Sequence, residues 1–205
     1  MQVLVSIMEE KYNGSLTGEP FLFYENKVVA QFLLDNLNYQ EISSEVYSKN
    51  LFNYKTKKSI PKRVAAVYKR LKPLNNSLLN YIVNSSGSDA KMVVLYSLME
   101  SNRLFYEFMI EVIRVKYLQM DYRITKRDLN RFFQMKIEQS EKVAEFKEYT
   151  ITKLQQVMIK ILEESNIISD SKNPKLNHIT LSNGLKSYFI KENKLLFLNS
   201  ISITH

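Results

Sequence analysis

The longest apolar stretch of the chain, from Met92 to Val115, limits the folds open to it more than any other feature. Its apolar residues recur at helical spacing but cover more than one face, which is typical of a helix buried on several sides. Five charged residues interrupt the stretch: Glu100, Arg103, Glu107, Glu111 and Arg114. Nowhere does an uncharged apolar run approach the ~20 residues that cross a bilayer. The stretch therefore predicts a central core helix, or a helical hairpin broken near Ser101 and Asn102, in a soluble, cytoplasmic protein without a membrane span.

Helical spacing of apolar residues also continues through most of the remaining chain, where Gly and Pro are rare. The 205 residues include only four of each. Helices are predicted near 24–37, 41–49, 59–72, 75–85, 125–137 and 149–164, with Tyr47 and Ile137 among the inward residues, while 1–11 fit either a short strand or a frayed end. Ser59 is an expected N-cap with Pro61 in the first turn, and Thr125 with Asp128 fits a capping box. The pattern predicts a mainly α, multi-helix bundle.

The C-terminal part of the chain combines a helix with strand-like segments. The helix over 149–164 is followed by a polar loop and then by a stretch over 179–185 with the order Ile-Thr-Leu-Ser-Asn-Gly-Leu. This order resembles the end of a winged-helix domain, where a helix runs into a β-hairpin and a further helix follows. Residues 195–201 are apolar and fit a last strand. We therefore predict a helical part over 1–118 and a small winged-helix-like part with a short β-hairpin over 119–205.

Positive charge is concentrated between Lys49 and Lys72, where nine basic residues and no acidic residue occupy 24 positions. The whole chain has a formal charge of +8, so the other 181 residues together carry −1. On a helix that begins near Ser59, the apolar residues share one face and the basic residues group roughly opposite. The lysines before it lie at a helix N-terminus, which also favours anions. The candidate nucleic-acid contacts are Lys55, Lys57, Lys58, Lys62, Arg63, Lys69 and Arg70.

A second, weaker basic surface is predicted around the helix that begins at Thr125. Lys126, Arg127, Arg131 and Gln134 face away from the apolar residues of that helix. With Arg123, the three basic residues among them form this surface. If the C-terminal part is winged-helix-like, a possible second contact surface for nucleic acid is formed either by these four basic residues or by Lys153 and Lys160 on the helix over 149–164.

No pattern of a catalytic, metal or cofactor site occurs in the sequence. The chain has no Cys, which excludes disulfides, thiolate zinc sites and Cys nucleophiles and fits a reducing compartment. Its two histidines, His178 and His205, are too few for a histidine metal site. Neither a phosphate loop nor a dinucleotide fingerprint is present, and the segment 14–18 is interpreted as a turn. The protein is therefore expected to have no catalytic activity, no metal and no cofactor.

Several short segments follow one another in a characteristic order. They are Gly14-Ser15-Leu16-Thr17-Gly18, a helix with Val28, Val29, Leu33 and Leu34, Asn50-Leu51-Phe52, Ser59-Ile60-Pro61-Lys62-Arg63, the helical run 103–117, and Thr152-Lys153-Leu154-Gln155-Gln156-Val157 through Ile161-Leu162-Glu163-Glu164. This order, over roughly 12–200, resembles the BrxA family of accessory proteins in bacteriophage-exclusion (BREX) defence systems. The resemblance implies helix-turn-helix or winged-helix character, partial similarity to the NusB antitermination fold, and duplex DNA binding without known catalysis. It implies Lys62 and Arg63 as phosphate contacts.

The leading prediction is a non-enzymatic component of a BREX system that binds double-stranded DNA mainly through phosphates and acts with other BREX proteins. Lysines outnumber arginines in the basic stretch, which favours weakly sequence-specific binding. A monomer is favoured. One alternative is an adaptor that docks an acidic protein partner through the same residues. Another is RNA binding, which the NusB-like similarity permits, and a third is a solvated face with no ligand.

Overall fold

The structure is a computed structural model that describes residues 11–85 and 87–201. Its described residues are mainly helical and contain no β-strand, in agreement with the predicted mainly α class. Packing divides them into two compact units, one over 21–97 and the other over 11–20 together with 98–201. The predicted boundary at residue 118 stays a prediction. The strand or frayed end predicted for 1–11 falls, except for Lys11, outside the described residues.

The unit over 21–97 is built from four helices and part of a fifth. They are α1 (Phe23–Leu34), α2 (Tyr39–Lys49), α3 (Ile60–Leu71), α4 (Asn76–Asn84) and α5 (Gly87–Ser101). Helix α1 packs against α3 and α4, and α2 packs against α3. In α5, the four consecutive residues from Met92 to Leu95 are all buried. Since consecutive residues point to different sides of a helix, the prediction of a helix buried on several faces is confirmed.

Local signals explain where α2 and α3 begin and end. Asn38 starts α2 in a capping box, with its side chain accepting from the Glu41 amide while its own amide donates to Glu41 at 2.7 Å. Asn50 ends the helix in the left-handed conformation, with φ 48°. Ser59 holds the predicted N-cap position of α3, yet its side chain makes no cap hydrogen bond, and a 3-10 turn over Lys57–Ser59 precedes the helix instead.

The other unit contains the remaining helices and a 3-10 turn at Ser15–Thr17. Its helices are α6 (Arg103–Phe108), a π-helical turn (Met109–Ile113), α7 (Arg114–Leu118), α8 (Lys126–Gln139), α9 (Glu141–Ala144), α10 (Glu148–Glu164), α11 (Asn183–Lys191) and α12 (Leu195–Ser200). The predicted break after Ser101 is confirmed, because Asn102 caps α6 by accepting from the Phe105 amide at 3.0 Å. The predicted capping box of Thr125 and Asp128 is confirmed at the start of α8.

The predicted β-hairpin does not form in the described residues. Ile179 and Leu181 are buried and Thr180 is exposed, so burial alternates as in a strand, but no partner strand hydrogen-bonds to them. Only two isolated bridges occur, joining Arg123 to Lys175 and Ile168 to Leu176. An extended segment buries alternate side chains wherever it lies on an apolar surface, whether or not its backbone pairs with another strand. The alternating pattern therefore does not by itself predict a β-hairpin.

Three further sequence predictions are wrong. Residues 195–200 form the short helix α12 and not a strand, because a short apolar run has the same appearance in either state. Tyr47 and Ile137, both predicted to face inward, are 47% and 37% exposed. The Tyr47 ring instead lies 5.4 Å from the ammonium group of Lys57, at a distance suited to a cation–π contact.

Candidate nucleic-acid interface

The predicted basic stretch folds as the end of α2, a loop, the 3-10 turn and helix α3. Helix α3 packs by Ile60, Val64, Val67 and Leu71, each fully buried, as the apolar spacing predicts. All five lysines among the candidate contacts are exposed and are called here the lysine surface: Lys55, Lys57, Lys58, Lys62 and Lys69. Throughout 11–85 and 87–201, no acidic side chain forms an ion pair with any of these five ammonium groups. The lysine surface therefore keeps its positive charge available for an anion.

The two candidate arginines do not share this exposure. Arg70 is buried, with 5% of its surface exposed, so its predicted place on the outer face is wrong. Arg63 is half-buried. At about 100° per residue, both lie on the flank of α3, about 70–90° from the centre of its apolar face, whereas Lys62 and Lys69 lie opposite that face. Because α1 and α2 both pack on α3, the buried arc is wide enough to take in this flank.

The loop that carries Lys55 is held by side-chain hydrogen bonds. The Asn50 amide group donates to the Tyr54 carbonyl at 2.9 Å, and the Tyr54 amide donates to Asn50 Oδ1 at 3.2 Å. The Tyr54 hydroxyl donates to the buried Glu25 carboxylate of α1. Burial and this carboxylate raise the pKa of Tyr54, so the hydroxyl stays protonated as the donor. Lys57 Nζ donates to the Ser48 carbonyl at 2.8 Å, which fixes the turn before α3.

The second basic surface lies in the other unit, on and just before α8. All four predicted members, Arg123, Lys126, Arg127 and Arg131, are exposed. The last three line one shallow recess together with Asn130 and Gln134. The sequence prediction placed Gln134 outward but gave Asn130 no role. Gln155 of α10 donates a hydrogen bond to Asn130 Oδ1 at 3.0 Å. The two residues are 25 positions apart in the sequence, so no local pattern predicts this contact.

The sequence analysis also missed a buried ionic cluster in the unit that joins 11–20 to 98–201. Glu107, on α6, is 4% exposed and accepts from Tyr12 Oη at 2.9 Å and from Arg103 Nε at 2.8 Å. Lys136 Nζ of α8 lies 2.8 Å from Glu107 Oε2 and 2.6 Å from Glu111 Oε1. One signal was available, because Lys136 shares the apolar face of α8 with Phe132 and Phe133. A lysine on such a face requires a buried partner.

The ionic cluster makes the stability of the protein depend on pH. Burial alone would raise the pKa of Glu107, but hydrogen bonds from Arg103, Lys136 and Tyr12 outweigh it and lower that pKa below its ordinary value of 4.5. A carboxyl group whose pKa is lower in the folded state than in the unfolded state stabilises the protein at pH values above its unfolded-state pKa. This stabilisation is lost as the pH falls through the folded-state pKa. We expect the free energy of unfolding to fall below about pH 4.5, with a slope that Glu107→Gln reduces by up to about 1.4 kcal/mol per pH unit.

Urea unfolding of the wild type and of Glu107→Gln at several pH values between neutral and acidic checks this expectation. Glu138→Gln, which removes an exposed carboxylate of α8, is the control. Equal acid slopes in the wild type and Glu107→Gln would contradict the assignment.

Two further features are absent from the described residues. These residues contain no group of three or more His, Asp or Glu side chains arranged to hold a metal ion. None of their helices combines the length and apolar character that crossing a membrane requires.

Comparison with known proteins identifies the family. The model of the BrxA family matches residues 10–193 of the chain. The chain belongs to the BrxA family. The resemblance seen in the order of sequence segments is thereby confirmed.

Individual members of the BrxA family match over most of the chain. The "BREX protein BrxA" of Bacillus cereus (strain H3081.97) is 36% identical over 166 residues, which are 81% of this chain and 83% of that protein. The "BREX protein BrxA" of Escherichia coli O9:H4 (strain HS) is 20% identical over 173 residues, covering 84% of this chain and 81% of that protein. A crystal structure of an uncharacterized protein from Magnetospirillum magneticum superposes with a TM-score of 0.80 at 18% identity, over 95% of this chain and 100% of that one. At this identity the likeness shows a shared fold.

Proposed function

We propose that this chain is a non-enzymatic component of a BREX bacteriophage-defence system that binds double-stranded DNA through the lysine surface. The lysine surface is the observation that carries the proposal. Its five lysine residues are exposed, and no acidic residue occurs between 49 and 72. Membership of the BrxA family, with relatives named BREX proteins, supports the assignment to a BREX system and to work with other BREX proteins.

The lysine surface fits phosphates better than base edges. An ammonium group is a compact charge that neutralises a phosphate, whereas the bidentate contact to guanine usually comes from Arg. Burial of Arg70 removes one of the two arginines from this surface. Helices α2 and α3, joined by the loop and turn that carry Lys55, Lys57 and Lys58, form the element that we propose as helix-turn-helix-like. It would follow the backbone of the duplex and give affinity without strong sequence preference.

The salt dependence of binding tests the electrostatic mechanism. If each of the five lysines neutralises about one phosphate, log K against log salt has a slope of about −4.5. Fluorescence anisotropy of a labelled short duplex, titrated at several salt concentrations, measures it. A slope near zero would contradict phosphate binding, and preference for single-stranded RNA in the same titration would favour an RNA ligand.

Charge reversal locates the surface. We expect the triple variant Lys55→Glu, Lys58→Glu, Lys62→Glu to lose most of the salt-sensitive binding, since three of five phosphate contacts become repulsive. The matched control, Lys147→Glu, Lys172→Glu, Lys191→Glu, makes the same change in net charge at exposed lysines of the other unit. Equal loss in both would contradict a localised surface. Absence of wild-type binding at low salt would instead favour the adaptor alternative, with an acidic protein partner.

A further inference from the structure

The outer face of α8 differs in chemistry from the lysine surface. Five exposed residues line its recess and are called here the α8 face: Lys126, Arg127, Asn130, Arg131 and Gln134. At about 100° per residue they fall within an arc of about 140°. The opposite side of the helix carries Leu129, Phe132 and Phe133, all buried, which fixes the rotation of α8 about its axis.

The one acidic residue of α8's first turn is occupied at the start of the helix and not on the α8 face. Asp128 is the only acidic residue between 123 and 137. Its carboxylate accepts from the Thr125 amide at 2.7 Å in the capping box and lies 3.0 Å from the ammonium group of buried Lys116. These hydrogen bonds lower the pKa of Asp128, against the opposing effect of burial, so the carboxylate stays charged and paired at the helix start.

The side chains of the α8 face are those that read base pairs. Arg contacts guanine O6 and N7 with two hydrogen bonds, and Asn or Gln contacts adenine N6 and N7 in the same way. Arg127, Asn130, Arg131 and Gln134 occupy positions i, i+3, i+4 and i+7, which lie next to one another along a helix. They span about 10 Å of helix axis, equal to the rise of about three base pairs. The major groove is wide enough to admit an α-helix.

Helix α10 holds the central amide of this face in place. Gln155 Nε2 donates to Asn130 Oδ1 at 3.0 Å, which leaves the amide hydrogens of Asn130 as donors and the second lone pair of Oδ1 as an acceptor. Gln155 is therefore a positioning residue, because it orients Asn130 without itself belonging to the α8 face. A side chain held by a second helix discriminates better than one free to rotate.

We propose that the α8 face reads base edges in the major groove of double-stranded DNA, while the lysine surface supplies phosphate contacts. The inference rests on the proposed DNA binding and adds a sequence preference to it. The two surfaces belong to different units of the chain, so each can be changed without altering the packing of the other.

Selection from a duplex pool randomised over about one helical turn, about 10 base pairs, tests the proposal. The wild type is expected to enrich a motif of about three base pairs, with about fivefold or greater preference at each contacted position. Arg131→Lys keeps the charge but loses the planar fork. We expect it to lose the preference at one position while its affinity for the unselected pool changes by less than about twofold. Gln155→Ala should weaken the preference at an adenine.

The variants separate this proposal from the proposed function. The lysine-surface triple variant should bind the pool more weakly and still enrich the same motif. Wild-type protein that binds the pool but enriches no motif, or Arg131→Lys that enriches an unchanged motif, would overturn base reading and leave phosphate binding intact. Enrichment from a randomised RNA pool only would overturn the choice of DNA. Wild-type protein that binds neither pool at low salt would overturn both proposals.

Discussion

Replacing Lys136 with Met is expected to lower the free energy of unfolding by about 3 kcal/mol at neutral pH. Lys136 is 2% exposed and lies within ion-pair distance of both Glu107 and Glu111. Met fills most of the volume of the Lys stem, so the change leaves buried Glu107 with a reduced set of partners and creates little cavity. Breaking a buried ion pair costs about 3–5 kcal/mol, and the lower end applies here because Arg103 and Tyr12 still bind the carboxylate.

Urea unfolding followed by circular dichroism measures the Lys136 effect. Lys142→Met is the matched control, since Lys142 pairs with Glu145 at 2.6 Å while both side chains are 60% or more exposed. That variant should change the free energy of unfolding by less than about 0.5 kcal/mol. Adding Glu107→Gln to Lys136→Met should recover part of the loss, because the buried carboxylate that has lost one of its partners is then replaced by a neutral amide. Similar losses for Lys136→Met and Lys142→Met would show that burial of the pair is unimportant.

Truncation of Phe108 to Ala is expected to destabilise the protein by about 3–5 kcal/mol. Phe108 is fully buried, and its ring centroid lies 5.5 Å from that of Phe132 on α8 and 6.3 Å from that of Phe105 on α6. The variant loses the transfer free energy of the ring and leaves a cavity that two rigid aromatic rings fill poorly.

Chemical denaturation at neutral pH again supplies the measurement for Phe108→Ala. Tyr149→Ala is the control, because Tyr149 is 78% exposed and its ring contributes little to the core. We expect Phe108→Leu to lose less than Phe108→Ala, in proportion to the smaller cavity. A loss below about 1 kcal/mol for Phe108→Ala would mean that the α6–α8 contact is not a main part of the core.

Features that depend on local spacing were predicted well from the sequence. The start of α8 at Thr125 and the break at Asn102 follow from side chains that bond within three residues, so the necessary information is local. The apolar face of α3 was correct for the same reason. The family could also be inferred, because the order of segments is a property of the sequence itself, and the BrxA match confirms it.

Features that depend on neighbouring elements were not predictable in this way. Arg70 is buried because two helices, α1 and α2, pack against α3. The sequence of α3 alone does not show how much of its surface these two helices cover. Ile179 and Leu181 are buried without a paired strand, which depends on a surface contributed by distant residues. Lys136 and Glu107 are 29 positions apart, so their ion pair depends on the packing of α6 against α8 and cannot be predicted from the spacing of residues within one helix.

The order of the chain has a consequence for its synthesis. The compact unit over 21–97 is continuous in sequence, whereas the other unit joins 11–20 to 98–201. Tyr12 and its acceptor Glu107 are separated by 95 residues. A ribosome that adds about 5–20 residues per second therefore makes Glu107 about 5–20 seconds after Tyr12. Residues 11–20 must therefore wait for residues 98–201, which are synthesised later, whereas the compact unit over 21–97 is complete once its own residues have been made. On the ribosome, residues 21–97 can therefore fold before residues 11–20 find their partners.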